Sequence, residues 1–182
     1  PEPGGHKYAI DLLNQVVNLN EGIYLEEDLK NTSKTKFCIG VAGYPEKHFE
    51  AVSLDEDMRY LKQKVDAGAD YIVTQMFFNN EKYFDFVRKC REIGILVPII
   101  PGIKPLATLK QLEILPEIFH LEIPEALASE VRKCDNNAAI KQIGIEWAIQ
   151  QGRELINAHV PALHFYTMSK SDSVRAIASA LF

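Results

Sequence analysis

The segment Tyr44–His48 concentrates more chemically useful side chains than any other part of the chain. It places an aromatic ring, a carboxylate, an amine and an imidazole in five positions, directly after the short β-rich run Gly40–Gly43. Pro45 fixes the backbone just past that run. The tyrosine and the histidine could stack on, or hydrogen-bond to, a planar ligand. The alternative interpretation is a surface turn whose polar residues are incidental.

Polar residues also end a second β-rich run, Tyr71–Met76. Gln75 carries a primary amide, which can both donate and accept hydrogen bonds along the edge of a heterocycle. Phe77 and Phe78 follow directly. An amide beside aromatic rings suits a flat ligand such as a pterin or a flavin, although phenylalanines that only pack in the core would give the same pattern.

Two further runs end in residues of special character. Gly102 permits close approach of the backbone to a ligand, and Gln111 follows it shortly on the next helix. In the last run, period-two alternation places His164 and Tyr166 on one side of the strand. His164 taken alone is interpreted as a core histidine.

The helix after the first run shows polar residues at helical spacing. Asp57, Tyr60 and Lys64 are three and four residues apart and therefore share a face, where Lys64 could meet a pyrophosphate. A solvated helix face is the alternative. Ser53 is predicted to cap this helix, and Gly68 to end it in the left-handed conformation.

These side chains must be positioned by alternating strands and helices. The patterns predict helices over 6–18, 53–67, 79–94, 107–115, 125–134, 137–158 and 171–181, and strands over 37–42, 71–76, 97–100 and 162–167, the first buried on both faces. Successive βα units indicate a parallel sheet. Polar residues at every strand end, without G-x-G-x-x-G, favour a (β/α)8 TIM barrel over a doubly wound sheet.

Only four strands are predicted, so the chain supplies about the last four strands of such a barrel and their helices. We expect residues 1–182 to form a single domain, the C-terminal portion of a TIM-barrel catalytic domain. Two unpaired sheet edges would remain. They imply either further N-terminal sequence or a partner chain, and the first residue, Pro1, agrees with a partial or processed chain.

Composition narrows the class of protein. The 182 residues are 47% hydrophobic with a net charge of −5 and no basic stripe, which argues against nucleic-acid binding. No apolar run approaches the ~20 residues that cross a bilayer, and no signal-peptide pattern is visible. Cys38, Cys90 and Cys134 lack metal-ligand spacing and are predicted to be buried reduced thiols without a metal. These features predict a cytoplasmic protein.

Five segments together resemble one family, the methylenetetrahydrofolate reductases. They occur in the family's order and spacing at Val41–Ala51, Lys64–Asp70, Thr74–Phe78, Pro98–Ile103 and His164–Thr167. The resemblance implies a (β/α)8 flavoprotein that holds FAD, accepts a hydride from NADH or NADPH, and reduces 5,10-methylenetetrahydrofolate to 5-methyltetrahydrofolate. It places the protein in one-carbon metabolism and methionine biosynthesis, and we expect a homo-oligomer.

The resemblance also implies residue roles. The family's FAD-contacting positions are occupied here by Tyr44, His48, Ala51, Asp57, Tyr60, Gln63 and Lys64. Tyr60 stands where a close relative has asparagine, and Gln63 where some members have arginine. Gln75 and Gln111 match folate-binding glutamines, the second at a site shared with the nicotinamide. Lys170 replaces an arginine near the folate tail, which keeps the charge but loses the bidentate fork.

No catalytic residue is assigned within the chain. The family's general acid, a glutamate, and an aspartate that tunes the flavin belong upstream of Pro1, so we expect a partial chain that is inactive alone. The alternative is a non-catalytic half-barrel that binds flavin or folate, or acts as a scaffold, and is completed by a partner chain. A third possibility, an aldolase-type barrel, would use Lys104, which lies close to a strand end.

Overall fold

A computed structural model describes residues 5–26, 28–168 and 170–182, so the predicted opening loop over 1–4 lies outside the described residues. In chain order the elements are α1 (Ala9–Asn20), β1 (Gly40–Gly43), α2 (Leu54–Asp66), β2 (Tyr71–Met76), α3 (Asn80–Glu92), β3 (Ile99–Ile103), α4 (Gln111–Phe119), α5 (Glu125–Arg132), α6 (Asn137–Asn157), β4 (His164–Phe165) and α7 (Asp172–Leu181).

The four strands form one parallel sheet in the order β1-β2-β3-β4. Each strand therefore pairs with the next one along the chain, and the order never reverses. A doubly wound sheet reverses its strand order at a switch point, whereas a barrel adds strands consecutively. The predicted fold class, a four-strand section of a (β/α)8 barrel, is confirmed.

The first predicted strand needs correction in both its bounds and its burial. β1 begins at Gly40, three residues later than predicted, because the ladder with β2 starts where Gly40 pairs with Tyr71. Phe37 is 54% exposed and Ala42 is also exposed. The prediction of burial on both faces was wrong because β1 lies at an edge of the described sheet, with β2 as its neighbour there.

Other predicted bounds also differ from the structure, most clearly those of β3, β4 and α4. β3 includes Pro101 and extends to Ile103, whereas β4 is limited to the two residues that pair with Gly102 and Ile103. α4 begins at Gln111 instead of 107, because residues 108–110 form a bend and a turn, and it continues through Pro116 to Phe119. Proline removes one backbone donor, and here the helix tolerates that loss.

The two faces of the sheet differ in burial. Ile72, Ile99 and Ile103 point toward the helices and are at most 1% exposed. Phe77 and Phe78 are buried equally well, so they pack in the core and do not stack on a ligand. The opposite side, here named the inner face, carries residues that remain half-exposed: Tyr71, Val73, Gln75 and Ile100. The fold thus leaves one sheet face accessible.

The cysteines do not share one environment. Cys90 is buried, and this burial raises the pKa of its thiol to about 12. Cys38 is exposed and Cys134 is half-buried, so the prediction of three buried thiols was wrong. Cys38 is exposed because it lies in the segment before β1 that has no strand neighbour. Among the described residues, no helix combines the length and apolarity that a membrane span requires.

We predict opposite outcomes for two glycines in α6. A methyl group at Gly144 would overlap the carbonyl oxygen of Leu106, whereas one at Gly152 would come within 2.5 Å of Leu181 Cδ1, the movable end of a side chain. Gly144→Ala should lower the free energy of unfolding by about 1–3 kcal/mol. Gly152→Ala should be neutral or stabilising by up to about 1 kcal/mol, because alanine favours the helix. Denaturant unfolding of both variants checks this, and equal effects would contradict it.

Candidate cofactor and substrate site

The candidate site lies at the carboxyl edge of the sheet, where the ends of all four strands meet. Tyr166, just past β4, donates its hydroxyl to the carbonyl oxygen of Thr74 in β2 at 2.9 Å. Its ring therefore crosses over Gly102 in β3, where a side-chain methyl would come within 2.7 Å of a ring carbon. Gly102 in turn donates its N–H to Thr74 Oγ1 at 2.9 Å. These contacts hold β2, β3 and β4 together at this edge.

Sequence reasoning assigned no part in this crossing to Thr74. Its side chain is fully buried, and both its oxygen atoms accept hydrogen bonds. The sequence did contain a signal for this crossing: Gly102 in β3 lacks a side chain, and Tyr166 supplies an aromatic ring from the neighbouring strand end. The predicted common side of His164 and Tyr166 is confirmed, since their rings lie edge-on at 4.7 Å. His164 is exposed, so its interpretation as a core histidine was wrong: it sits on a terminal strand whose inner face is open.

The loop after β1 is held in a defined shape by its own polar groups. The rings of Tyr44 and His48 meet edge-on at 4.5 Å. The His48 N–H donates to Asp57 Oδ2 at 2.8 Å, which attaches the loop to the first turns of α2. Lys47 donates to the carbonyl oxygens of His48 and Ala51, at 3.0 and 2.6 Å. These contacts favour a built ligand loop over a surface turn with incidental polar residues.

Asp57 and Lys64 face the end of β1. Lys64 Nζ donates to the carbonyl oxygen of Ala42 at 2.9 Å, so the amine lies beside the start of the loop. Burial lowers the pKa of Lys64, and the negative charge of Asp57 opposes that effect. The helix therefore presents a cation and a carboxylate, close enough to interact, to the same strand end.

The two other candidate residues of α2 lie in solvent. Tyr60 is 46% exposed, its hydroxyl contacts Glu56 at 3.4 Å, and the Arg59 guanidinium lies 4.6 Å from its ring centre. Gln63 is exposed as well. The solvated-face interpretation therefore fits these two residues, while Asp57 and Lys64 belong to the built part of the site.

Tyr44 connects the loop with the other end of the sheet. Burial raises the pKa of its hydroxyl, and the charge of Asp57 and the nearby Tyr166 raise it further. Tyr44 thus lies close enough to both α2 and the end of β4 to interact with them. This position links the first and last described strands across the carboxyl edge.

The predicted folate-binding residues lie along the same edge, in or after neighbouring strands. Gln75 Oε1 accepts the N–H of Met76 at 3.0 Å. Gln111 is the first residue of α4, and its Oε1 accepts the N–H of Ala107 at 2.7 Å. Lys170 is exposed after β4, with its N–H on the carbonyl oxygen of Thr167. The structure places these residues, and their roles stay predictions.

The loop is also braced from outside. Glu46 Oε2 accepts the N–H of Glu122 at 3.0 Å, and the ring of Phe49 stacks on that of His120 at 5.5 Å. Burial raises the pKa of Glu46. A cavity of about 580 Å³ lies beside this contact, lined in part by Lys82 and Lys89. It faces the helices and not the inner face, so we assign it no part in the site.

Lys104, which the aldolase alternative would require, is 7% exposed, and burial lowers the pKa of its amine. It directly follows β3 at the carboxyl edge. The side chain therefore has the buried, depressed-pKa character of a reactive lysine.

Together, the consecutive parallel strands and the polar loops at their carboxyl ends define a barrel-type protein with its site at the rim. The family model of methylenetetrahydrofolate reductase matches residues 2–181, and the chain belongs to that family. Because the chain belongs to this family, the aldolase interpretation is no longer favoured.

Individual relatives support the same family assignment. The chain is 42% identical over 148 residues to a probable methylenetetrahydrofolate reductase (NADPH) of Caenorhabditis elegans, covering 80% of this chain and 22% of that protein. It is 35% identical over 184 residues to methylenetetrahydrofolate reductase (NADH) 1 of Arabidopsis thaliana, covering 96% of this chain and 29% of that protein. The chain thus spans less than a third of the length of these relatives.

A solved structure supports the fold. An uncharacterized protein from Clostridium thermocellum, described as binding two copies of 5-methyl-5,6,7,8-tetrahydrofolic acid, superposes with a TM-score of 0.56 at 22% identity. The match covers 78% of this chain and 51% of that chain. At this identity the likeness bears on the fold alone.

We predict that Asp57 stabilises the loop. Asp57→Ala leaves the His48 N–H without its acceptor and removes the charge beside Lys64, so the free energy of unfolding should fall by about 1–3 kcal/mol. Asp66→Ala is the matched control in the same helix, because it removes only a surface ion pair with Lys62, worth about 0.5 kcal/mol or less. Denaturant unfolding measures both, and an Asp57 effect as small as that of Asp66 would contradict the prediction.

Proposed function

We propose that the protein is a flavin-dependent methylenetetrahydrofolate reductase that transfers a hydride from NADH or NADPH, through FAD, to 5,10-methylenetetrahydrofolate. The observation that carries this proposal is the convergence of Tyr44, His48, Asp57 and Lys64 at the end of β1, in a chain of this family. Residues 1–182 would form the C-terminal part of the catalytic barrel.

The residues at this end fit a flavin nucleotide. Lys64 provides a cation for a pyrophosphate, and Tyr44 and His48 provide rings and polar tips for a planar group. On the inner face of β1, Ala42 is small and exposed, which leaves space at the strand end, whereas the ring of Tyr71 occupies the space beside Gly40. Ala51 is buried and its carbonyl accepts from Lys47, so it supports the loop. The exposed Tyr60 and Gln63 would extend the site along α2.

FAD, when bound, supplies the hydride-transfer chemistry, and the protein supplies binding and orientation. In this chain Gln75 would hydrogen-bond the edge of the pterin, since its amide NH2 has no acceptor among the described residues. Gln111 would act at the shared folate and nicotinamide position, and Lys170 near the folate tail. The proton donor to the folate would come from upstream of Pro1. The relatives include enzymes named for NADH and for NADPH, so we propose no preference.

One observation favours a second candidate function, the non-catalytic half-barrel completed by a partner. In the described part of the chain, the inner face is half-exposed and β1 has one unpaired edge. Both features need a covering element.

Homo-oligomer formation, a cytoplasmic location and the absence of nucleic-acid partners remain part of the proposal.

The experiment that tests the proposal uses the complete polypeptide that the gene encodes. We expect the purified protein to carry flavin absorbance and to oxidise NADH or NADPH only when methylenetetrahydrofolate is present, with 5-methyltetrahydrofolate as product. Bound flavin or folate without turnover would support the half-barrel function instead. A protein that binds neither would overturn both.

We predict that Lys64 contributes to FAD affinity. Lys64→Met keeps the buried stem but removes the cation, and loss of one charge-assisted contact should weaken FAD binding by roughly tenfold to a hundredfold. Lys62→Met, two residues earlier on α2, removes a half-buried lysine that pairs with Asp66 away from the loop, and it should leave the affinity unchanged. Fluorescence titration of the apoprotein with FAD measures both. Equal affinities in the two variants would refute the assignment of Lys64.

A further inference from the structure

Among the described residues Lys104 is the one lysine whose side chain is buried, and its amine has no hydrogen-bond or ion-pair partner there. Lys64 has the Ala42 carbonyl oxygen and the charge of Asp57, and Lys82 pairs with Glu122 at 3.2 Å. Lys104 is less exposed than either, yet burial is the one cause that acts on its pKa. The stem of Lys104 is buried, but its amine nitrogen keeps accessible surface and can meet a bound group. A largely desolvated cation is usually paired or functional.

The position of Lys104 puts this amine at the candidate site. Ile103 packs in the helix-covered core, and successive side chains of a strand point to opposite faces. Lys104 therefore lies on the inner face, together with Gly102 and Ile100. Ile103 pairs with Phe165 and accepts the N–H of Tyr166 at 2.9 Å, so Lys104 lies beside Tyr166 along the edge. Met76 pairs with Gly102, so Lys104 lies beyond Gln75 toward the open rim.

We propose that Lys104 is a substrate-binding residue whose ammonium group donates a hydrogen bond to an oxygen atom of the reduced folate. This inference rests on the proposed function and adds a residue to which no role in that reaction has been assigned above. The acceptor is a carbonyl or carboxylate oxygen, because an ammonium without a carboxylate neighbour is complementary to an oxygen that carries negative charge. Two groups of the substrate have this chemistry, the ring carbonyl of the pterin and the carboxylates of the tail.

The direct test is the affinity of the complete polypeptide for 5-methyltetrahydrofolate, measured by isothermal titration calorimetry. Lys104→Met keeps the unbranched stem and removes the charge, and it should weaken binding by roughly tenfold to a hundredfold. Lys104→Arg restores a cation and should recover much of the affinity. Lys110→Met, an exposed lysine on the segment after β3, is the control and should bind like the unchanged protein.

A tail-free ligand identifies the acceptor. If Lys104→Met weakens the binding of 6-methyltetrahydropterin by the same factor as that of the full folate, the acceptor is the ring carbonyl. If it weakens the binding of the full folate alone, the acceptor is a tail carboxylate. Either result supports the inference.

The dependence on pH separates binding from mere packing. Burial lowers the pKa of Lys104, so the contribution of its ammonium group to affinity should be lost, as the pH rises, at a lower pH than for an exposed lysine. Lys104→Arg stays charged and should not show this loss. If Lys104→Met binds the folate as tightly as the unchanged protein, or if the unchanged protein and Lys104→Arg share one pH profile, the inference is overturned. An unchanged protein that binds no reduced folate overturns the proposed function itself, a distinguishable result.

Discussion

The parallel ladder between consecutive strands is the constraint on which the site depends. Because β1, β2, β3 and β4 run in one direction and pair in chain order, every polar segment that follows a strand arrives at the same edge. Residues distant along the chain are thereby brought together, as the hydrogen bond from Tyr166 to Thr74 shows. That bond requires Gly102 between them, because a side chain there would occupy the space of the tyrosine ring. The site is therefore a property of strand order first and of individual side chains second.

Much of this architecture could be predicted from the sequence because local signals and packing agreed. Ser53 does cap α2, with its Oγ accepting the N–H of Glu56 at 3.1 Å, and Gly68 adopts a positive φ of 119° directly after the helix C-cap. β2 has its predicted bounds, since it is paired on both sides and its apolar run coincides with the ladder. Where a strand has a paired neighbour on each side, the hydrophobic pattern and the strand pairing define the same bounds.

The errors in the bounds and burial of β1 and β4 have a common cause in their place as the outer strands of the described sheet. The bounds of β1 and β4 depend on partners across the ladder, which the local sequence does not report. Phe37 is exposed because it lies in the segment before β1 that has no strand neighbour, and His164 is exposed because the inner face is open. In the candidate site, residue types identified Tyr44, His48 and Lys64, but the structural role of Lys47 could not be read from its charge. It adopts a positive φ of 79° and binds two carbonyl groups of its own loop, a tertiary arrangement that spacing does not encode.

The contrast between Lys64 and Lys104 shows how one residue type can serve two purposes at one edge. Burial lowers the pKa of both amines, but Lys64 is also held by a carbonyl oxygen and a nearby carboxylate, so part of its binding capacity is used in fixing the loop. Lys104 has neither partner in the described chain, so a bound group is left to supply its acceptor. In such a site the partnered lysine shapes the loop before a ligand arrives. The unpartnered lysine gains most from the ligand itself, and it is therefore the better discriminator between ligands with and without an oxygen at that position.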